Sequence, residues 1–199
     1  MPTLPRSSVA IRFSSLAVLC AVAAACASSE KAGDPVGPYL AALAATGPVA
    51  LGADAADRAR AGETLGAFAA ELADFSAATI RARALELYAD DAYFNDQIKE
   101  LRGGAAIGEY LERSAGMLIE PRIEVQGTAS AGGDHYVRWL MTFRTEADEE
   151  PITARGITHV RFGADGKVIF HADFWDVSAA VWEQVPVVGT VIRKARARL

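Results

Sequence analysis

Residues 152–175 read ITARGITHVRFGADGKVIFHADFW. Two apolar runs, Ile152 to Phe162 and Lys167 to Trp175, flank Gly163-Ala164-Asp165-Gly166, so the stretch is expected to fold as a β-hairpin. Its register decides which side chains meet. A three-residue loop with Gly166 as a bulge sets His159 opposite His171 and Ile157 opposite Asp173, and places both histidines on the face of Asp173. A two-residue Asp165-Gly166 turn sets Thr158 opposite Asp173 and turns His159 the other way. His171 and Asp173 share a face in either case, because i and i+2 project together. Both registers stand at this level.

Upstream of the hairpin the period is also two. Ile123 and Val125 alternate with Arg122, Glu124 and Gln126, and Ala131-Gly132-Gly133-Asp134 makes a turn. Tyr136 to Phe143 forms a strong strand with Trp139, Leu140 and Met141 at its centre. His135 is expected in the surface turn. Before Pro121 the period is helical. Leu65, Phe68, Ala69 and Leu72 make one stripe, and Ile80, Ala84, Leu87 and Tyr88 a second, with Ser76 offering an N-cap between them. Tyr93-Phe94-Asn95-Asp96 reads as extended. Gly103-Gly104 opens a third helix carrying Ile107, Tyr110, Leu111 and Ser114. Three helices followed by four long strands predict an α+β domain, with the helices on one face of a curved antiparallel sheet whose concave side lines a pocket.

The chain has 199 residues, 51% of them hydrophobic and 23% charged, which suits one domain with a core plus an extension. Its net charge of −5 argues against a nucleic-acid partner, which needs a basic footprint. No P-loop, dinucleotide fingerprint, HExxH or GxSxG motif occurs, and no cofactor or metal is expected. Residues 1–25 have the make-up of a signal peptide: Arg6 and Arg12, then an apolar run from Leu16 to Ala25 followed by small residues. Ala23-Ala24-Ala25-Cys26 is similar to a bacterial lipobox, which would lipidate Cys26 and anchor the protein to the membrane of the cell envelope. Ala25-Cys26-Ala27 equally fits ordinary cleavage and a periplasmic or secreted protein. Residues 26–60 are rich in Ala, Gly and Pro and are read as a tether, dispensable for folding, in which Leu40 and Leu43 mark at most one short helix. Residues 61–199 are the domain, ending in a basic tail of Arg193, Lys194, Arg196 and Arg198. That tail is either a solvated helix end or a contact with an anionic membrane surface.

From Glu63 onward the chain resembles the SnoaL-like branch of the nuclear transport factor 2-like superfamily, a cystatin-like roll. Residues 87–96, LYADDAYFND, are similar to the helix-to-strand segment of ketosteroid isomerases. Residues 101–107, LRGGAAI, are similar to the start of the third helix, and Thr158–Phe162 with His171–Asp176 to the final hairpin. The resemblance implies a cone-shaped sheet wrapped around three helices. It implies function loosely, because isomerases, cyclases, epoxide hydrolases and plain binding proteins share this fold.

Carried over residue by residue, the isomerase pattern places its general base at Asp96. Thr158 stands where a second acid belongs, and Glu71-Leu72-Ala73 lacks the oxyanion tyrosine. The limonene-type epoxide hydrolase pattern is matched by Tyr93, Asn95 and Asp173, but its central Arg-x-Asp is absent from Arg138-Trp139-Leu140-Met141. The cyclase pattern puts a base at Asp173 and a histidine at His159. The expected catalytic set is therefore Asp173, Asp96 and His159. Tyr93, Asn95, Trp139, His171 and Trp175 are expected around a small hydrophobic ligand. Bland readings stand beside these: Asp96 as a turn carboxylate, the tryptophans as core. Enzyme and binding module both remain open, as does a homodimer.

Overall fold

The computed structural model describes residues 36–47, 55–146 and 150–198. Residues 1–35, including Cys26 and the signal-like segment, lie outside them. Helices α1 (Gly37–Ala45), α2 (Ala55–Ala73) and α3 (Ile80–Leu87) lead into strand β1 (Tyr88–Asn95). Strand β2 (Glu100–Arg102) and helix α4 (Gly104–Gly116) follow. Then come β3 (Ile119–Ala131), β4 (Asp134–Arg144), β5 (Ile152–Phe162) and β6 (Val168–Trp175). The chain closes with α5 (Val177–Ala180), a 3₁₀ turn at Trp182–Gln184 and α6 (Pro186–Arg196). The six strands form one sheet in the order β2-β1-β6-β5-β4-β3.

The α+β class is as expected, but the sheet is mixed. β1 runs parallel to β6, while the other neighbours are antiparallel. A parallel pair needs a long crossover, and everything from β2 to β5 supplies it. Local chemistry departs from expectation in two places. Ser76 is not the N-cap of α3; Thr79 is, and the Ser76 carbonyl accepts from Thr79 N and Ile80 N. Gly103 caps α4 at φ 87°, and a side chain there would meet the Asp90 carbonyl at 2.7 Å, so only glycine suits this junction.

The helix-side face of the sheet carries the main core, with Phe68, Phe94, Ile107, Val137, Trp139 and Val160 all buried. The opposite face holds a second, smaller core of Ala42, Tyr93, Phe170 and Ala172. Here the tether reading needs amendment. Residues 37–45 form α1, and Ala42 is fully buried beneath it. Tyr39 packs edge-on against Phe170 and Phe174. The Arg161 side chain crosses under the helix end and donates to the Leu43 carbonyl at 2.7 Å and to the Thr46 carbonyl. Its Nε also meets Asp134 at 2.5 Å.

His135 is buried too, bonded to Ser130 Oγ at 2.8 Å and tilted against Phe162, rather than exposed in a turn. Burial holds His135 and His159 below the ordinary imidazole range, in opposition to the nearby Asp134 carboxylate. The unfolded chain therefore takes up protons near pH 6.5 that the folded chain still refuses. Stability should fall as pH drops from about 7 toward 5. Asp134 is raised by burial but lowered overall by Arg161 and His159, so its own contribution is lost only at more acid pH. Thermal melts from pH 7.5 to 5 should show Tm decreasing, and the pair His135→Gln, His159→Gln should flatten that slope. A wild-type Tm that rises over this range contradicts the assignment.

Candidate functional site

The hairpin combines features of both expected registers. Near the turn Gly163 pairs with Lys167 and Gly166 takes φ 80°, the three-residue loop. Phe162 faces Val168, but Arg161 faces Phe170, so Ile169 is an extra residue in β6. This bulge shifts the pairing by one, and Thr158 comes to lie opposite Asp173. His171, Asp173 and Trp175 therefore line the helix-side face, with Phe170 and Ala172 in the opposite core.

That face encloses a cavity of about 870 Å³. Its wall is mainly apolar, from Phe68, Leu72, Phe94, Leu111, Met141 and Trp175 among others. A line of polar groups enters it. Tyr88 OH lies 2.8 Å from His171 Nδ1, and His171 Nε2 lies 3.1 Å from Asp173 Oδ1. Thr158 donates to the same Oδ1 at 2.5 Å, and the Trp139 indole N–H donates to Thr158 at 2.9 Å. A neutral His171 carrying its proton on Nε2 satisfies both neighbours: the phenol donates to Nδ1 and Nε2–H donates to the carboxylate. Burial, then the Asp173 charge, pushes the Tyr88 phenol well above its ordinary range, so it keeps its proton at neutral pH.

Asp96 also lines the cavity, but its oxygens are engaged. Oδ1 accepts from Ile98 N at 2.9 Å and Lys99 N at 2.8 Å, and Oδ2 accepts from Tyr110 OH at 2.5 Å. This is the turn-carboxylate arrangement, with a phenol added. Burial and Asp96 raise the Tyr110 phenol far above its ordinary value. Trp175 donates to the Asp96 carbonyl at 2.8 Å, which ties the end of β6 to the end of β1.

The other expected residues lie elsewhere. His159 is on the opposite face, 2.7 Å from Asp134 and stacked on Tyr136. Tyr93 stacks on Phe170 in the second core, and Asn95 donates to the Tyr93 hydroxyl at 3.2 Å. These three do not join Asp173. Tyr88, Tyr110 and Thr158 take their places around the cavity. The two tyrosines read in the sequence only as members of apolar helical stripes, which conceals a hydroxyl aimed at a partner. Among the described residues no three His, Cys, Asp or Glu side chains converge as a metal site.

The Trp139 ring lies across Gly156, its partner on β5, where a Cβ would meet ring atoms at 2.3–2.7 Å. Gly156→Ala should displace the indole and break its bond to Thr158. The expected cost is about 2 kcal/mol, a Tm loss of several degrees, with altered tryptophan emission. Unchanged melting and emission would show that the ring has room to move.

The model of the SnoaL-like domain family matches residues 53–171. The chain belongs to the SnoaL-like domain family. Among solved structures it is similar to a protein of ketosteroid isomerase-like fold from Catenulispora acidiphila, in complex with trimethylamine. The two share 16% identity, with 60% of this chain and 89% of that one covered at a TM-score of 0.52. Weaker likenesses include an epoxide hydrolase-like protein of M. tuberculosis, 16% identical, covering 59% and 84% at TM-score 0.47. Another is a nuclear transport factor 2-like protein of unknown function from Exiguobacterium, 22% identical, covering 46% and 79% at 0.42. No curated protein matches the chain. The SnoaL-like domain thus accounts for the fold, and leaves the chemistry to the residues that line the cavity.

Proposed function

We propose that this SnoaL-like protein binds a small, mainly apolar molecule in the cavity and that Asp173 acts on it as a general base. The carrying observation is a carboxylate facing an apolar cavity and held at one oxygen by both Thr158 and His171. A base so held needs no reorientation to take a proton from a carbon next to a carbonyl, or from water. His171 and Tyr88 position it from behind. The role of Asp96 is to fix the β1 end and Tyr110 rather than to take protons.

One observation favours a binding-only alternative. The polar donors named around the cavity are already committed: Trp139 to Thr158, Trp175 and Tyr110 to Asp96, and Tyr88 to His171. Developing negative charge beside Asp173 or Asp96 would have to draw one of them away. Binding itself is tested with N-phenyl-1-naphthylamine, an uncharged apolar fluorophore. Its emission should rise with saturable binding, and Leu111→Trp, which enlarges a wall residue, should weaken it roughly 10-fold or more. Equal binding by that variant would place the probe outside the cavity.

We further propose export, on the composition of residues 1–27, with Cys26 as a lipidated first residue. Cys26→Ser should move the protein from the membrane to the soluble fraction. Retention of a full-length chain in the membrane would mean another anchor.

A further inference from the structure

The end of the chain carries a surface that the cavity does not explain. After Glu183 the sequence contains four cationic side chains and no acidic one, although the whole chain is at −5. The inner side of α6 is fixed. Gly189 lies so close to the Glu183 carbonyl that a Cβ would sit 2.1 Å from it. Arg193 donates to the same carbonyl at 2.9 Å, and Arg196 bridges Asp176 at 3.0 Å and Glu183 at 2.7 Å. With two arginines directed inward, the helix has one orientation.

The outer side is then a stripe at spacings of four and three, Val187, Val191 and Lys194, with Arg198 following in the turn after the helix. Val187 is 48% and Val191 63% exposed, and Trp182 just before the helix is 44% exposed. Neither Lys194 nor Arg198 has an ion-pair partner among the described residues. Exposed valines beside unpaired cations, with an exposed tryptophan in the turn that leads into the helix, fit an interface that is apolar at one depth and negatively charged at another. A bilayer surface with anionic headgroups has that layering. A soluble polyanion would use the cations but leave the valines and Trp182 in water.

We infer that Trp182, the outer stripe of α6 and Arg198 just after it dock on an anionic lipid surface. Val181, Gln184 and Val185, within and beside the docked segment, form part of the cavity wall. On the reading that the cavity takes an apolar molecule, docking sets that wall against the phase in which such a molecule dissolves. The docking itself does not depend on any role of Asp173.

The full chain is mixed with vesicles whose acyl chains are brominated, either pure phosphatidylcholine or with roughly one third phosphatidylglycerol. Bromine quenches only tryptophan in contact with the bilayer, so the readout is local even where the amino-terminal segment also binds lipid. Quenching should appear on the anionic vesicles, be lost in Trp182→Phe, and be much weaker on phosphatidylcholine. Lys194→Gln with Arg198→Gln should weaken the response roughly 10- to 30-fold, and Val187→Ser with Val191→Ser should also reduce it. Sedimentation with vesicles without Trp182 quenching would overturn the inference and assign binding to another segment. Equal quenching on both vesicle types, or no effect of the cation pair, would overturn it as well. So would retention on heparin with no response to vesicles, which would identify a soluble polyanion.

Discussion

Asp173→Asn should reduce turnover by about 100-fold or more, the usual loss when a general base is removed, while leaving the protein folded. The amide keeps the carboxylate's shape and still offers an oxygen to the Thr158 hydroxyl, 2.5 Å away, and to His171 Nε2 at 3.1 Å. The amide oxygen keeps an acceptor for Thr158 and for His171, and the new NH2 group takes the position of Oδ2 on the cavity side. Tm should therefore move by only a few degrees. Binding of N-phenyl-1-naphthylamine should stay within a few-fold, because the apolar wall is unaltered. The rate is followed on whichever member of a panel of apolar carbonyl compounds and epoxides the wild-type protein converts. A variant that keeps its rate removes Asp173 from the chemistry. A variant that unfolds makes it a structural acid.

The history of Asp173 shows what the sequence carries and what it does not. Its pairing with His171 follows from the two-residue period of a strand, which holds in any register. The partner across the hairpin does not follow. Gly163-Ala164-Asp165-Gly166 indeed makes the three-residue loop, yet Ile169 bulges out and cancels the register that loop sets. A single residue of slip moves every side chain to the other face. For that reason His159, one residue from Thr158, lies against Asp134 on the far side. Tyr93 and Asn95 alternate along β1 with Ala92 and Phe94, and because those two face the helix-side core, Tyr93 and Asn95 face away from it. The parallel pairing of β1 with β6 is a long-range fact with no local signature. The short helix marked by Leu40 and Leu43 is α1, but its packing on the sheet has no sequence signal, because the contacts come from small or isolated residues, Ala42 and Tyr39, in a stretch with no sustained apolar stripe.

Arg161→Leu should destabilise the domain by about 3 kcal/mol, the low end for breaking a buried ion pair, because Asp134 keeps some solvent contact. For a chain of this length that is a Tm loss on the order of 10 °C. The guanidinium joins three elements: Asp134 at the start of β4, its own strand β5, and the Leu43 and Thr46 carbonyls at the end of α1. Leucine fills part of the volume but leaves those two carbonyls and one carboxylate interaction unmet. The loosened α1 should show faster amide exchange at Ala42 to Thr46 than at the centre of β5. Removal of residues 1–59 should give a Tm loss of similar size, since it takes away α1 and uncovers Phe170. Melting within a couple of degrees of the parent in both cases would restore the reading of this segment as a tether.

The central claim concerns where the ligand sits, and a crystal structure of the protein with a compound it converts or binds tests that most directly. The compound should occupy the cavity between α2, α4 and the sheet, packed on Phe94 and Trp175. A proton-bearing atom, or one ordered water, should stand within hydrogen-bond reach of Asp173, about 2.6–3.2 Å. A compound seated on the outer face of the sheet, or one filling the cavity with only apolar atoms toward Asp173, would contradict the account.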